Sequence, residues 1–151
     1  MIELTFPLEN EAATARLGSA LADRLAAGDV IALSGPLGAG KTTLARAVVK
    51  ALAGRDEAPS PTFTLVETYE TPTFTLHHFD LYRLEKAEEV WELGFEDALD
   101  GVSLIEWPER IEALLPNETL LVSLSMDGDA RRALIRGGDE WAGRLEGFNP
   151  A

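Results

Sequence analysis

The stretch Gly35-Pro36-Leu37-Gly38-Ala39-Gly40-Lys41-Thr42 constrains this chain more than any other. It fits G-x-x-x-x-G-K-S/T, a pattern whose glycines let backbone N–H groups converge on phosphate oxygens. The setting supports the pattern. Val30-Ile31-Ala32-Leu33 is fully apolar, as a central parallel strand requires. From Thr43 to Leu52 the spacing predicts a helix, with Leu44, Val48 and Leu52 on one face and Gly54 as its stop. Strand, glycine loop and helix in that order place a helix N-terminus, with its partial positive charge, against a bound anion. Lys41 then serves the β- and γ-phosphates of a nucleoside triphosphate, and the Thr42 hydroxyl serves a magnesium ion.

With 151 residues, 46% of them hydrophobic, the chain is expected to form one domain, residues 1–151, with a substantial core. The absence of cysteine excludes disulfides and thiolate metal sites. Twenty-six acidic residues against 13 basic ones give a formal charge of −13. Such a field repels a phosphate backbone, so direct nucleic-acid binding is not expected. The N-terminus lacks the basic and apolar regions of a secretory signal, and no apolar run suffices for a membrane span, so a cytoplasmic location is expected.

Upstream of the loop, Ile2 to Phe6 reads as a strand closed by Pro7. Asn10 is the expected N-cap of a helix carrying Ala13, Leu17, Leu21 and Leu25, ended by Gly28. That stripe reads as core packing; a helix here can also flank a nucleotide base, but nothing in the residues demands it. Downstream, the prolines of Ala58-Pro59-Ser60-Pro61-Thr62-Phe63 break any helix. The segment reads as a connector, or as a switch loop in which Thr62 offers a hydroxyl to the metal, its water or the γ-phosphate. Phe63–Glu70 and Thr73–Asp80 read as an antiparallel hairpin, with Phe74, Leu76, His78 and Asp80 on one face. A single strand histidine such as His78 reads as a structural residue. Asp80, an acid ending an apolar-faced strand, stands where P-loop proteins keep groups that orient a nucleophile or a metal-bound water. Arg83 reads as sheet-edge cover or as charge compensation for a phosphate or Asp80.

Leu84 to Gly94 reads as a helix anchored by Val90, Trp91 and Leu93. Residues 85–118 carry eleven acids and only Lys86 and Arg110 as bases, which reads as a solvated face or as a docking surface for a basic partner. Val102 to Ile105 is a second buried-strand candidate ending in Glu106, where P-loop ATPases place the acid that serves magnesium, so Glu106 is assigned to Mg²⁺. Pro108 suits the first position of a helix running to Leu115. Leu120–Met126 and Arg131–Arg136 read as a hairpin turned at Asp127-Gly128, and Trp141 in the glycine-rich tail as folding back on the core.

Four motifs in this order, residues 35–43, Ser60-Pro-Thr-Phe-Thr-Leu65, His78-Phe-Asp-Leu-Tyr-Arg83 and Glu106-Trp-Pro108, resemble those of the TsaE family. These are small bacterial ATPases needed to make N6-threonylcarbamoyladenosine at position 37 of tRNAs. The resemblance runs from the first helix to Arg131. It implies an α/β P-loop NTPase fold, with a central, mostly parallel sheet, added antiparallel strands and flanking helices. It also implies work with the threonylcarbamoyl-transferase TsaD and its partner TsaB, hydrolysing ATP while bound to them. Carried over to this chain, Gly35, Leu37, Gly38, Ala39, Gly40, Lys41, Thr42 and Thr43 bind the nucleotide, and Trp107 lies beside it. Thr42 and Glu106 ligate Mg²⁺, Asp80 and Lys41 serve hydrolysis, and Thr62 marks the switch-like loop. Pro36 departs from the family, where an acid is commoner; it removes one N–H at the loop's entry. The residues alone imply a Mg-dependent ATPase or GTPase. A small-molecule kinase and a non-hydrolysing, nucleotide-gated binding module are the alternatives, the former without the basic lid such kinases carry.

Overall fold

A computed structural model describes residues 1–55 and 58–151. In chain order the elements are β1 (Ile2–Leu8), α1 (Glu11–Ala22), β2 (Val30–Ser34), α2 (Lys41–Ala53), β3 (Val66–Glu70), β4 (Thr75–Asp80), α3 (Phe95–Ala98), β5 (Val102–Glu106), β6 (Leu120–Asp127), β7 (Ala130–Gly137) and α4 (Asp139–Arg144). Two 3₁₀ segments, Ala87–Leu93 and Pro108–Leu114, flank α3 and β5. The strands form one sheet in the order β1-β7-β6-β2-β5-β4-β3. Its centre, β6-β2-β5-β4, is parallel, whereas β7, β1 and β3 join antiparallel at the margins. This is the α/β fold with added antiparallel strands that the sequence implied.

Burial follows position in the sheet. All five residues of β5 are buried, as a strand covered on both faces demands, while the edge strand β1 alternates half-buried Ile2, Leu4 and Phe6 with exposed Glu3, Thr5 and Pro7. Period two then sends neighbours along each central strand into different cores. Ile31, Leu33 and Leu104 pack with Leu17, Leu21, Leu44, Val48 and Trp141. Val30, Phe79 and Ile105 pack with Leu84, Val90, Phe95 and Ile111 on the opposite face. Within the first layer α1 crosses α2 at Gly18, where a Cβ would lie 2.6 Å from the Leu44 carbonyl oxygen and 2.8 Å from the Ala47 Cβ.

Several boundaries differ from the sequence reading, each for a physical reason. β1 continues through Pro7 because an edge strand tolerates a missing donor. Asn10 caps α1 as expected, accepting the Ala13 N–H at 2.9 Å, but the helix ends at Ala22, not near Gly28. Asp29 takes over there, accepting the Ala26 N–H at 2.7 Å and turning the chain into β2. The hairpin strand begins at Val66, since the turn through Leu65, whose N–H bonds the Pro61 carbonyl at 2.7 Å, consumes residues 61–65. The helix expected after Pro108 is a kinked pair of 3₁₀ turns, and it ends at Leu114 because Leu115 precedes Pro116 and is extended (ψ 135°). Leu84–Gly94 likewise reduces to 3₁₀ turns over Ala87–Leu93. Among the described residues, no helix is long and apolar enough to cross a membrane.

The tail holds a helix, α4, that its glycines concealed. Trp141 is buried on this helix and its indole N–H donates to the Glu118 carbonyl at 2.7 Å. Arg144, one turn on, forms an ion pair with Asp29 at 2.5 Å that ties the tail to the α1–β2 turn. The tail is thus part of the core. Trp141→Ala is expected to cost about 3–5 kcal/mol of stability, as for other buried large aromatic residues, and to lower the urea midpoint accordingly. A change below about 1 kcal/mol would show α4 to be an ornament on the fold.

Candidate nucleotide-binding site

The glycine loop leaves β2 and enters α2 as the sequence predicted. Gly35 has φ 142°, and a Cβ there would lie 2.4 Å from the Leu124 carbonyl oxygen, so only glycine lets the loop lie against β6. Gly38 and Gly40 also have positive φ, 81° and 106°. The first intrahelical bond of α2 runs from the Leu44 N–H to the Gly40 carbonyl at 2.9 Å. The amides of Lys41, Thr42 and Thr43 therefore belong to the helix turn whose donors have no intrahelical acceptor, beside the positive end of the dipole. Ala39 differs: its side chain is buried and its N–H donates to the Pro36 carbonyl at 3.1 Å. Pro36 thus lacks a donor but serves as an acceptor in the loop's internal turn.

Lys41 is buried, with its ammonium donating to the Gly35 carbonyl and lying 3.4 Å from the Trp107 ring centroid. Burial pushes its pKa below the ordinary lysine value, and the charges of Glu106, Glu109 and Asp80 oppose that shift. Trp107 holds the cation face by adopting a left-handed backbone conformation, φ 61°, immediately after β5. Its indole packs on Tyr82, ring centroids 4.8 Å apart.

The acids arrive through strand register. β4 pairs with β5 so that Asp80 stands opposite Glu106, and β2 pairs with β5 so that Leu33 does too. Both carboxylates consequently end parallel strands beside the start of α2, where open α/β sheets bind ligands. Glu106 Oε1 accepts the Thr42 hydroxyl at 3.0 Å. Its Oε2 lies 2.6 Å from His78 Nε2, a contact between side chains only 0% and 3% exposed. Asp80 is held at both oxygens, by the Tyr82 N–H at 3.1 Å and the Thr62 hydroxyl at 3.3 Å. Thr62 also bonds Ser60 at 2.8 Å, and the Asp80 N–H donates to the Leu65 carbonyl at 3.0 Å. The proline loop is thereby fastened to the end of β4. Arg83 instead stacks over the exposed Phe63 ring at 4.5 Å.

A cleft of about 260 Å³ opens between these elements. Of the predicted site residues, Leu37, Gly38, Gly40, Lys41, Thr42, Thr43, Thr62, Asp80, Glu106 and Trp107 line it. Gly35 and Ala39 do not; Gly35 packs against β6, and Ala39 lines an adjoining hollow. A second hollow of about 200 Å³ shares Gly38, Gly40 and Thr43 and continues to Asn10, Thr14 and Arg131. Arg131 donates to the Gly38 carbonyl at 3.2 Å. The sequence reading assigned no site role to Arg131 or His78. For His78 a signal existed, because His78 and Asp80 share one face of β4 by period two. The donor set of the main cleft suits a hard cation between a polyphosphate and the protein: one hydroxyl and one carboxylate oxygen 3.0 Å apart, beside an ammonium and a helix N-terminus.

Comparison with known proteins identifies the family. Residues 8–134 match the model of the family described as "Threonylcarbamoyl adenosine biosynthesis protein TsaE". The chain is 45% identical over 127 residues to the tRNA threonylcarbamoyladenosine biosynthesis protein TsaE of Rickettsia felis, covering 83% of this chain and 74% of that one. To its Bacillus subtilis namesake it is 38% identical over 128 residues, covering 83% and 78%. Its fold is similar to the crystal structure of Bacillus subtilis YdiB, with a TM-score of 0.76 at 29% identity over 97% of this chain and 94% of that one. The chain belongs to the TsaE family.

Proposed function

We propose that this protein is a magnesium-dependent ATPase, a single P-loop domain over residues 1–151, acting in the cytoplasm in the biosynthesis of N6-threonylcarbamoyladenosine in tRNA. The observation that carries this reading is the meeting of Thr42 Oγ1 and Glu106 Oε1 at 3.0 Å, across 64 residues of chain, beside Lys41. Thr42 and Glu106 hold Mg²⁺, which neutralises charge on the β- and γ-phosphate oxygens. The Lys41 ammonium and the backbone from Gly38 to Thr43 bind the phosphates. Gly35 and Ala39 set that loop's shape, Leu37 covers its tip and Trp107 flanks the nucleotide. The nucleoside extends into the hollow bounded by Asn10 and Arg131. Asp80, braced by Thr62 and Tyr82, orients the attacking water.

The partners in this reading are TsaD and TsaB, with no direct contact to tRNA. A net charge of −13 supports that division of labour, because it opposes association with a phosphate backbone. ATP turnover by the chain alone, compared with turnover in the presence of purified TsaD and TsaB, tests it. Stimulation is expected, together with recovery of the pair in an ATP-dependent pull-down from cytosol. Equal rates and no recovery would leave a nucleotide-binding protein with some other client.

Two side chains separate binding from chemistry. Lys41→Ala removes the cationic partner of the phosphates and is expected to abolish ATP turnover; wild-type turnover would overturn the P-loop assignment. Asp80→Asn keeps the acceptor for the Tyr82 N–H but loses the charge, so single-turnover hydrolysis is expected to slow about 10²–10⁴-fold. ATP affinity should change far less, since no phosphate oxygen is stabilised by a carboxylate. A parallel fall in affinity and rate would place Asp80 on the metal instead.

Glu106→Gln exchanges a charged oxygen donor for a neutral amide, a poor ligand for a hard cation. At fixed ATP, the Mg²⁺ concentration needed for half-maximal binding is expected to rise. An unchanged titration would remove Glu106 from the metal site.

A further inference from the structure

His78 is fully buried at the end of β4, yet the roles proposed above leave it without one. Its Nε2 lies 2.6 Å from Glu106 Oε2, and its Nδ1 has no hydrogen-bond partner among the described residues. A carboxylate only accepts, so the short contact requires the proton on Nε2. The neutral Nε2–H tautomer satisfies that requirement and leaves Nδ1 as a buried, unpaired lone pair. The opposite tautomer would bury an unpaired N–H and set a lone pair against the carboxylate.

The two oxygens of Glu106 are thereby divided. Oε2 is taken by His78, while Oε1 faces Thr42 at 3.0 Å. Building on the magnesium site above, we infer that His78 is a positioning residue that reserves Oε2 and presents Oε1 alone to the cation. The arrangement follows from the length of the acid. A glutamate reaches further than an aspartate but has one more free torsion, so its carboxylate must be held from behind to aim one oxygen at a small cation with strict geometry. Strand register supplies the hold: His78 stands opposite Leu104, two residues before Glu106 and on the same face of the sheet. Hydrogen-bond partners of metal-ligating groups commonly govern affinity in this way.

The test uses Mn²⁺ as a spectroscopic substitute for Mg²⁺, read by electron paramagnetic resonance with a non-hydrolysable ATP analogue bound. Nucleotide affinity in EDTA and thermal stability are measured on the same samples. His78→Leu fills the volume without a donor, whereas His78→Gln returns an N–H near the Nε2 position. The expected result is Mn²⁺ affinity about 10–100-fold weaker in His78→Leu, largely restored in His78→Gln, with metal-free nucleotide affinity within about twofold of wild type in both. Wild-type Mn²⁺ affinity in His78→Leu, with the loss confined to Glu106→Gln, would overturn the role of His78 and leave the magnesium site standing. No loss in either His78→Leu or Glu106→Gln would remove Glu106 from the metal site and overturn this inference with it. A purely structural histidine would lower the melting temperature of both variants and leave Mn²⁺ affinity unmoved. Should His78→Leu fail to fold, ¹⁵N spectra of the wild type decide, since the chain has only two histidines. A protonated Nε2 that persists with Mg²⁺ and the analogue bound supports the inference, and an unprotonated Nε2 overturns it.

Discussion

The parallel register of β4, β5 and β2 is the constraint on which the rest of the site depends. It places Asp80 opposite Glu106 and Leu33 opposite Glu106, so both acids finish their strands level with the entry to the glycine loop. A slip of one residue in β5 would turn Glu106 to the other face and put Ile105 in the cleft. Two cores resist such a slip, because Leu104 and Ile105 are committed to opposite layers. Packing that looks remote from the chemistry therefore sets the separation of its charged groups.

That separation creates an electrostatic tension around Lys41. Burial disfavours its charge, and its direct partners are neutral ones, the Gly35 carbonyl and the face of Trp107. Glu106, Glu109 and Asp80 oppose the burial penalty from further away. Carbonyl and indole partners are weaker than an anion, and Glu106 and Asp80 already have donors of their own in Thr42, His78, Thr62 and Tyr82. The cleft thus holds a buried cation that, among the described residues, has no carboxylate as a direct partner.

Where a function depended on local chain chemistry, the sequence was legible. The glycine loop, the capping of α1 by Asn10, the apolar strands β2 and β5 and the two hairpins are each written in one short continuous stretch of chain. Gly54 stops α2 in a left-handed conformation, as a C-terminal glycine should. What escaped reading was pairing at a distance. His78 looked structural because its partner is 28 residues away, and the brace from Thr62 to Asp80 spans 18 residues with no periodic signal. The short helix α4 was hidden because Gly143 lowers its intrinsic propensity and Gly137 and Gly138 stand directly before it, while its stability comes from burying Trp141. The 3₁₀ segments were misjudged as α-helices because apolar spacing alone does not distinguish such short turns.

Trp107 has a consequence for how this chain can change. A large aromatic residue in the left-handed region carries a conformational penalty of order 1–3 kcal/mol, and glycine would adopt the same backbone without it. Selection for thermal robustness alone would thus favour glycine at this position, whereas selection for the indole's contact with Lys41 opposes that change. Residue 107 is a point where fitness for work and fitness for folding pull in different directions. Heat-adapted descendants of such a chain would be expected to gain their stability elsewhere, in layers that do not touch the glycine loop.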